Sequence, residues 1–500
     1  MAYTFSRRAG VLMHIASLPG PYGIGTLGQP ARDFVDMLAQ AGQSWWQILP
    51  ICPTGYGNSP YQSFSAFAGN TDLIDPALLY RAGWLTEEEL TRAEYTGPTD
   101  RVDYAFVQAN RRELFSGILE RFRQNPPADF DAFCRRHETW LEDYALFMAV
   151  KDAHDGLPLE RWERDIRLRR RGVVAMWRVK CARQVAYYKM VQYFFFTQWE
   201  NLKAYANKRG IGIIGDIPIY VSGDSADVWV NAHLFDLDSE GRPREVAGCP
   251  PDAFSDDGQL WGNPVYNWRT MRLSGYRFWV LRLAHSLHLY DALRIDHFRG
   301  FASYYCIPAG AANARVGIWR KGPGMALWRA VRRHLGEVPI IAEDLGFLTP
   351  EVERLLADSG FPGMKVLQFA FTGDGDSDHL PHRHTQHSVV YTGTHDNDTL
   401  LGWLSAADDA ESAFARRYLR VQNGQSLRRP IMAAALASVA HLCVLTMQDI
   451  LGLGTEARMN VPSTVGENWL WRATEVQLKP EAFRWLREQT ALYGRLPNKE

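Results

Sequence analysis

A chain of 500 residues, 46% of them hydrophobic and 22% charged, carries enough apolar material for a large buried core. Its formal net charge of −1 supplies no field to hold nucleic acid or an anionic membrane. The apolar stretch after Met1 to Arg8 is broken at His14, which argues against a signal peptide, and no run of about 18 apolar residues suggests a membrane span.

Six cysteines (Cys52, Cys134, Cys181, Cys249, Cys306, Cys443) are scattered without a Cys-x-x-Cys pair. They read as reduced thiols of a cytoplasmic protein rather than a disulfide frame or zinc site. The 17 tryptophans are consistent with core packing and equally with stacking on sugar rings.

Eight short apolar runs end in polar or glycine-bearing turns. The first two lie at 10–17 and 44–50, with a helical period at 30–41 between them. The next interval, 54–210, is too long for one crossover helix. Within it 86–94, 130–152 and 179–190 read as helices, so a mostly helical subdomain inserted between strands two and three is expected. The basic run Arg167 to Arg171 lacks interleaved aromatics and reads as a solvated helix end or linker, not a nucleic-acid contact.

A helical period at 191–209 leads into the third strand, 211–219, and another at 276–289 into the fourth, 291–296. Strands five to eight follow at 338–344, 364–371, 389–396 and 442–450. Continuous apolarity is the mark of strands buried on both faces, and eight of them alternating with helices predict a single (β/α)8 TIM barrel over 1–500. The chain stops soon after the eighth unit, so no appended module is expected.

Reactive groups in such a barrel stand at the C-terminal strand ends. Those ends carry His14, Asp216, Arg294, Asp296, His297, Glu343, Asp344, His395 and Asp396. Taken singly, an acid there is often only the N-cap of the next helix, and Asp344 suits that role. Acids converging from several strands suit glycoside chemistry better. Retaining cleavage needs an ionised nucleophile and a protonated acid about 5–5.5 Å apart, and neighbouring strands lie about 4.8 Å apart. Asp296 and Glu343 end strands four and five. Arg294, two residues before Asp296, faces the same side and is expected to keep Asp296 ionised, while an apolar wall raises Glu343.

Several blocks carry a family resemblance: Ala-Leu-Arg-Ile-Asp-His-Phe-Arg-Gly (292–300), Ala-Glu-Asp-Leu-Gly (342–346), Gly-Thr-His-Asp-Asn (393–397), the block at 58–70 and Ala-Gly-Cys-Pro-Pro-Asp with its continuation (247–264). They closely resemble the 4-α-glucanotransferases called amylomaltase or disproportionating enzyme, glycoside hydrolase family 77 of the α-amylase clan. The match runs from 17–25 to 467–469. The resemblance implies Asp296 as nucleophile, Glu343 as general acid/base and Asp396 as the third acid, stabilising an oxocarbenium-like transition state. Arg294, His297, His395 and Asp216 would hold the donor sugar, Tyr61 would stack on it, and Ser59 would also bind substrate. Phe254, Gln259 and Trp261 would sit on a lid loop at 247–264 closing over the acceptor. Asp374 and Asn468 would touch substrate, and Tyr56 would mark a secondary glucan groove. The implied partners are α-1,4-glucans, with glucose as acceptor, and no cofactor.

Two positions depart from the family: Cys249 replaces an aliphatic residue, and His14-Ile15-Ala16-Ser17 replaces His-Pro-Thr-Ser. Cys249 reads as a small apolar substitute or an accessible lid thiol.

No metal is expected. Asp374, Asp376 and Asp378 mimic a calcium loop, but His379 and Thr385 occupy the positions that need Gly and Glu. His379, His382, His384 and His387 lack the spacing of a zinc site and read as a polar surface loop. Two other functions stay open: a hydrolase sharing the same ester, and a non-catalytic glucan-binding scaffold, which the three acids disfavour.

Overall fold

The computed structural model describes residues 3–251, 255–346, 348–373, 375–478 and 480–497. Eight parallel strands form the barrel: β1 (Arg8–Leu12), β2 (Trp45–Gln47), β3 (Gly212–Ile217), β4 (Ala292–Ile295), β5 (Ile340–Ala342), β6 (Gly363–Val366), β7 (Ser388–Tyr391) and β8 (Leu442–Thr446). Each pairs with the next in chain order except at β5 and β6, and β8 pairs with β1. All eight predicted runs supply a strand.

The continuous apolarity has two destinations. Leu12, Ile214, Ala292, Ile341, Met364, Val366, Val389, Tyr391, Leu442 and Val444 fill the barrel's interior cluster. The alternate residues, among them Val11, Ile213, Leu293, Ile340, Val390 and Cys443, pack against the outer helices. Side chains repeat every two residues along a strand, so the inward column of Ile214 continues to Asp216, that of Ala292 to Arg294, and that of Ile341 to Glu343. Fold and site are set by one periodicity.

The ring closes unlike its other junctions. Among the described residues no ladder joins β5 to β6. Ala342 N–H donates to Pro362 O at 3.0 Å, and Met364 N–H donates to Asp344 Oδ1 at 2.6 Å. Asp344 therefore does not cap the next helix, whose N-cap is Thr349. It is a side chain standing in for main-chain pairing. Gly363 makes room for it, since a Cβ there would lie 2.4 Å from Asp344 Oδ2.

Several strands end earlier than their apolar runs. The run at 442–450 turns helical because Thr446 Oγ1 accepts the Asp449 N–H, starting the helix Met447–Leu451. The segment 23–28 has the Gly-x-Gly-x-x-Gly spacing of a dinucleotide loop, but protein atoms occupy it. A Cβ on Gly25 would lie 1.9 Å from Ile15 O, and one on Gly28 1.9 Å from Asp75 Oδ2.

The 54–210 interval is mostly helical. The helices predicted at 179–190 and 191–209 differ: most of their length forms one helix of 27 residues, Ala182–Lys208, which also carries the chain to β3. Two buried glutamines on it imitate strand pairing. Gln192 exchanges bonds of 2.7 and 2.8 Å with Gly69, and Gln198 bonds of 2.7 and 3.1 Å with Asp75. They pin the loop that carries Tyr61.

The basic run is not a solvated end. Arg167, with only 8% of its side chain exposed, pairs with Glu240 at 3.1 Å, and Arg169 pairs with Asp143 at 2.9 Å while lying over the Trp229 ring. The described part of 247–264 begins and ends in strands, Glu245–Cys249 and Gln259–Pro264. With Ser303–Pro308 and Ile318–Lys321 they form a four-stranded antiparallel sheet beside the mouth, which the apolar pattern did not reveal.

Candidate active site

The register that pairs Asp216 with Arg294 across β3 and β4 fixes the first contact of the site. Arg294 Nη1 donates to Asp216 Oδ2 at 2.6 Å, and Nη2 donates to Asp296 Oδ1 at 3.1 Å. Tyr61 O–H donates to the same Asp216 oxygen at 2.9 Å, and its ring lies parallel to His395 at 5.1 Å. Four residues from three separate segments thus form one bonded chain.

β4 and β5 interlock at their ends. Glu343 N–H donates to Ile295 O, and Phe298 N–H to Glu343 O, both at 3.0 Å. Between these bonds His297 takes a left-handed conformation, φ 51° and ψ 47°. Such a conformation costs a non-glycine residue of the order of 1–3 kcal/mol and needs the surroundings to hold it. Here it turns the His297 N–H onto Glu343 Oε2 at 2.6 Å. Leu345 N–H binds Oε1 at 2.8 Å. The nucleophile candidate and the acid candidate stand on either side of a single peptide turn.

Electrostatics only partly follow the expectation. Burial pushes the Asp296 carboxyl up to about 8; Arg294 pulls it down, and Glu343, Asp216 and Asp396 add to the rise. The sequence predicts that Arg294 keeps Asp296 low, but desolvation outweighs it. Burial also raises Glu343, against the pull of Arg294 and its two N–H donors. Both carboxyls stand above the ordinary carboxylate range, so the site holds a proton at neutral pH. Burial lowers His297 to about 3 and lowers His395 as well, so both rings are neutral at pH 7. Among the described residues, His297 Nε2 and Asp216 Oδ1 are buried without a hydrogen-bond partner.

The third acid reaches the mouth from the loop after β7. Asp396 Oδ1 lies 3.4 Å from His395 Nε2 and accepts the Asn460 amide at 2.6 Å. Asn460 N–H binds His395 O at 3.1 Å, and Arg458 Nη2 binds Asp396 O at 2.8 Å. The sequence reading missed both residues, because they sit in an irregular loop after β8 and not at a strand end. Trp469, left-handed at φ 67°, was missed as well. Its ring packs 5.8 Å from Tyr61 and 6.0 Å from His395.

The remaining candidates are spread around the rim. Ser59 Oγ accepts the Tyr61 N–H at 3.2 Å, which shapes the Tyr61 turn. Trp261 meets His297 edge-on at 4.8 Å, and its Nε1 donates to Gln259 Oε1 at 3.1 Å. Asn468 is buried and bonded within its own loop, to Val461 N–H at 3.0 Å and Thr464 O at 2.9 Å. Tyr56 is 78% exposed. His14 is buried near His395, which adds to the lowering of its pKa to about 3. Phe254 and Asp374 lie outside the described residues.

The histidine run is not wholly a surface loop. His379 Nδ1 accepts the Val366 N–H at 3.1 Å, and the buried His384 binds His379 O, so both fasten the end of β6. Asp376 and Asp378 face Arg383 at 3.7 and 3.1 Å.

Comparison with known proteins identifies the family. Residues 13–478 match the family model described as 4-alpha-glucanotransferase. The chain is 48% identical over 493 residues to the 4-alpha-glucanotransferase of Streptococcus pneumoniae, covering 98% of both chains. It is 48% identical over 487 residues to that of Thermus thermophilus, covering 95% of this chain and 96% of the relative. Among solved structures, amylomaltase from Streptococcus agalactiae in complex with acarbose superposes with a TM-score of 0.96 at 41% identity, covering 98% of this chain and all of the other.

Proposed function

Since the chain belongs to the 4-alpha-glucanotransferase family, glycoside hydrolase family 77, we propose that it moves α-1,4-glucan segments by double displacement through an ester on Asp296. The observation that carries this reading is the β4–β5 interlock, where Arg294 bonds Asp296 and the next peptide N–H bonds Glu343.

The retained proton serves on Glu343 once a glycosidic oxygen lies against it. Asp296 Oδ attacks C1 as the C1–O bond breaks, and Glu343 gives its proton to the departing 4-oxygen. Glu343, now a carboxylate, takes the proton of the incoming 4-hydroxyl, whose oxygen displaces Asp296 from C1 and returns the α-linkage. Asp396, held by Asn460, faces the cationic ring of the transition state. Neutral His297 and His395 bond sugar hydroxyls, for which the unpartnered His297 Nε2 is suited. Tyr61 and Trp469 border the donor ring.

Transfer over hydrolysis rests on the 247–264 segment, which we read as the lid: Trp261 covers His297 and excludes water while an acceptor sugar stacks. The substrates are maltooligosaccharides or longer α-1,4-glucans, with glucan or glucose as acceptor. The six cysteines form no disulfide, which suits a reducing cytoplasm, and among the described residues no helix is long and apolar enough to cross a membrane.

Maltotriose is the test. A ladder of longer maltodextrins together with glucose is expected from the wild-type protein, and none from Asp296→Ala. Glucose and maltose alone would identify a hydrolase.

A further inference from the structure

The strand Ile318–Lys321 is exposed at all four residues, and it ends the four-stranded sheet. Trp319 within it is 43% exposed. Val316 at 75% and Ile318 at 51% are exposed beside it, and an exposed apolar patch of this kind marks a binding surface. One face of the ring is taken: the Arg299 guanidinium lies over it at 4.1 Å. Tyr305, paired with Trp319 across the strands, meets the ring at 5.3 Å and 57°. The indole is therefore held from the inside and from one edge, with its other face turned to solvent.

Two features tie this surface to the mouth. Arg299 is 4% exposed, stands three residues after Asp296 in the turn Phe298–Phe301, and lies close enough to Glu343 for their charges to interact. The loop leading to Trp319 is joined to the tip of the lid hairpin, where Ala314 N–H binds Asp257 O at 2.9 Å and Arg315 pairs with Asp257 at 2.7 Å. The surrounding charge argues for a neutral ligand. Arg315 is neutralised by Asp257, and Arg320 by Glu245 at 2.7 Å, so these arginines are not free to hold an anionic partner.

We propose that the open face of Trp319 is an outlying acceptor-side platform on which a glucose ring of a long α-1,4-glucan stacks. Sugar rings present flat C–H faces that match an aromatic plane, and a rigidly backed indole loses little freedom on binding. The platform rests on the transferase reading above and adds chain-length selectivity to it: short acceptors end before reaching Trp319, and long ones do not.

Calorimetric titration in the Asp296→Ala protein, which cannot turn over, separates the two claims. Adding Trp319→Ala is expected to weaken maltoheptaose about three- to tenfold while moving maltose by less than about twofold. Trp319→Phe, which keeps a flat ring and the fold, should recover part of the maltoheptaose loss. Unchanged maltoheptaose affinity, or equal weakening of both sugars, overturns the platform and leaves the active-site reading intact. So does a wild-type dimer that Trp319→Ala converts to monomer, since the surface would then bind a second copy. If Asp296→Ala alone binds neither sugar, the active-site reading fails and takes the platform with it.

Discussion

On the side of the mouth built by β3, β4 and the loop after β7, Tyr61, Asp216, Arg294 and Asp296 form one chain of hydrogen bonds, and Asp396 is clamped from a distant loop. On the other side, Gln259 and Trp261 bond each other, and their sheet ends in an exposed strand. In the reaction proposed above, the first arrangement fixes charges where a glucosyl cation develops and leaves little to reorganise. On the same reading, the second is a surface that receives glucans of many lengths. Rigidity is concentrated where bonds change, and tolerance where partners vary.

The sharpest way to break this contrast is Arg294→Ala. It leaves Asp216, which is 0% exposed, without its cation, and breaking a buried pair costs about 3–5 kcal/mol. A large fall in Tm with complete loss of transfer is expected; an unchanged Tm would mean that the bonded chain does not hold the donor side. Asn460→Ala should be milder, lowering kcat about ten- to a hundredfold with KM little moved, as for loss of a bond to a charged group. Asn460→Asp, similar in size but without the amide donor, should be equally impaired if Asn460 works by orienting Asp396. Recovery in that variant would reduce its role to packing.

The smallest effect is one of stability. Asp296 is raised above its ordinary value of 3.8 to about 8 in the folded protein. The folded state therefore binds the extra proton, and stability declines as pH rises from about 4 towards 8. Asp296→Asn should raise Tm at pH 8 and not at pH 4. Gln259→Ala on the lid side should show no such pH dependence. A parallel shift in both variants would remove the distinction between the two sides.

The barrel was legible because burial on both faces leaves a continuous apolar signature, and the inward column of each strand ends at the residue that reaches the mouth. Asp216, Arg294, Asp296 and Glu343 follow from that rule. Asn460, Arg458 and Trp469 do not, since they arrive from a loop whose path depends on tertiary contacts. The four-stranded sheet escaped notice because its edge strand shows no burial pattern. Asp344 misled for a related reason: nothing local tells an acid that caps a helix from one that bridges two strands. The balance at Asp296 was hidden because Arg294 is visible in sequence, whereas desolvation is a property of the finished site.

The closure at Asp344 has a consequence for how the barrel can loosen. Glu343 takes its main-chain and side-chain bonds from the β4 neighbourhood and from Leu345, and none of those described reaches β6. Thermal breathing at the sparsely bonded junction would thus part the ring on the far side of the acid, and Asp296 and Glu343 would travel as a unit through it.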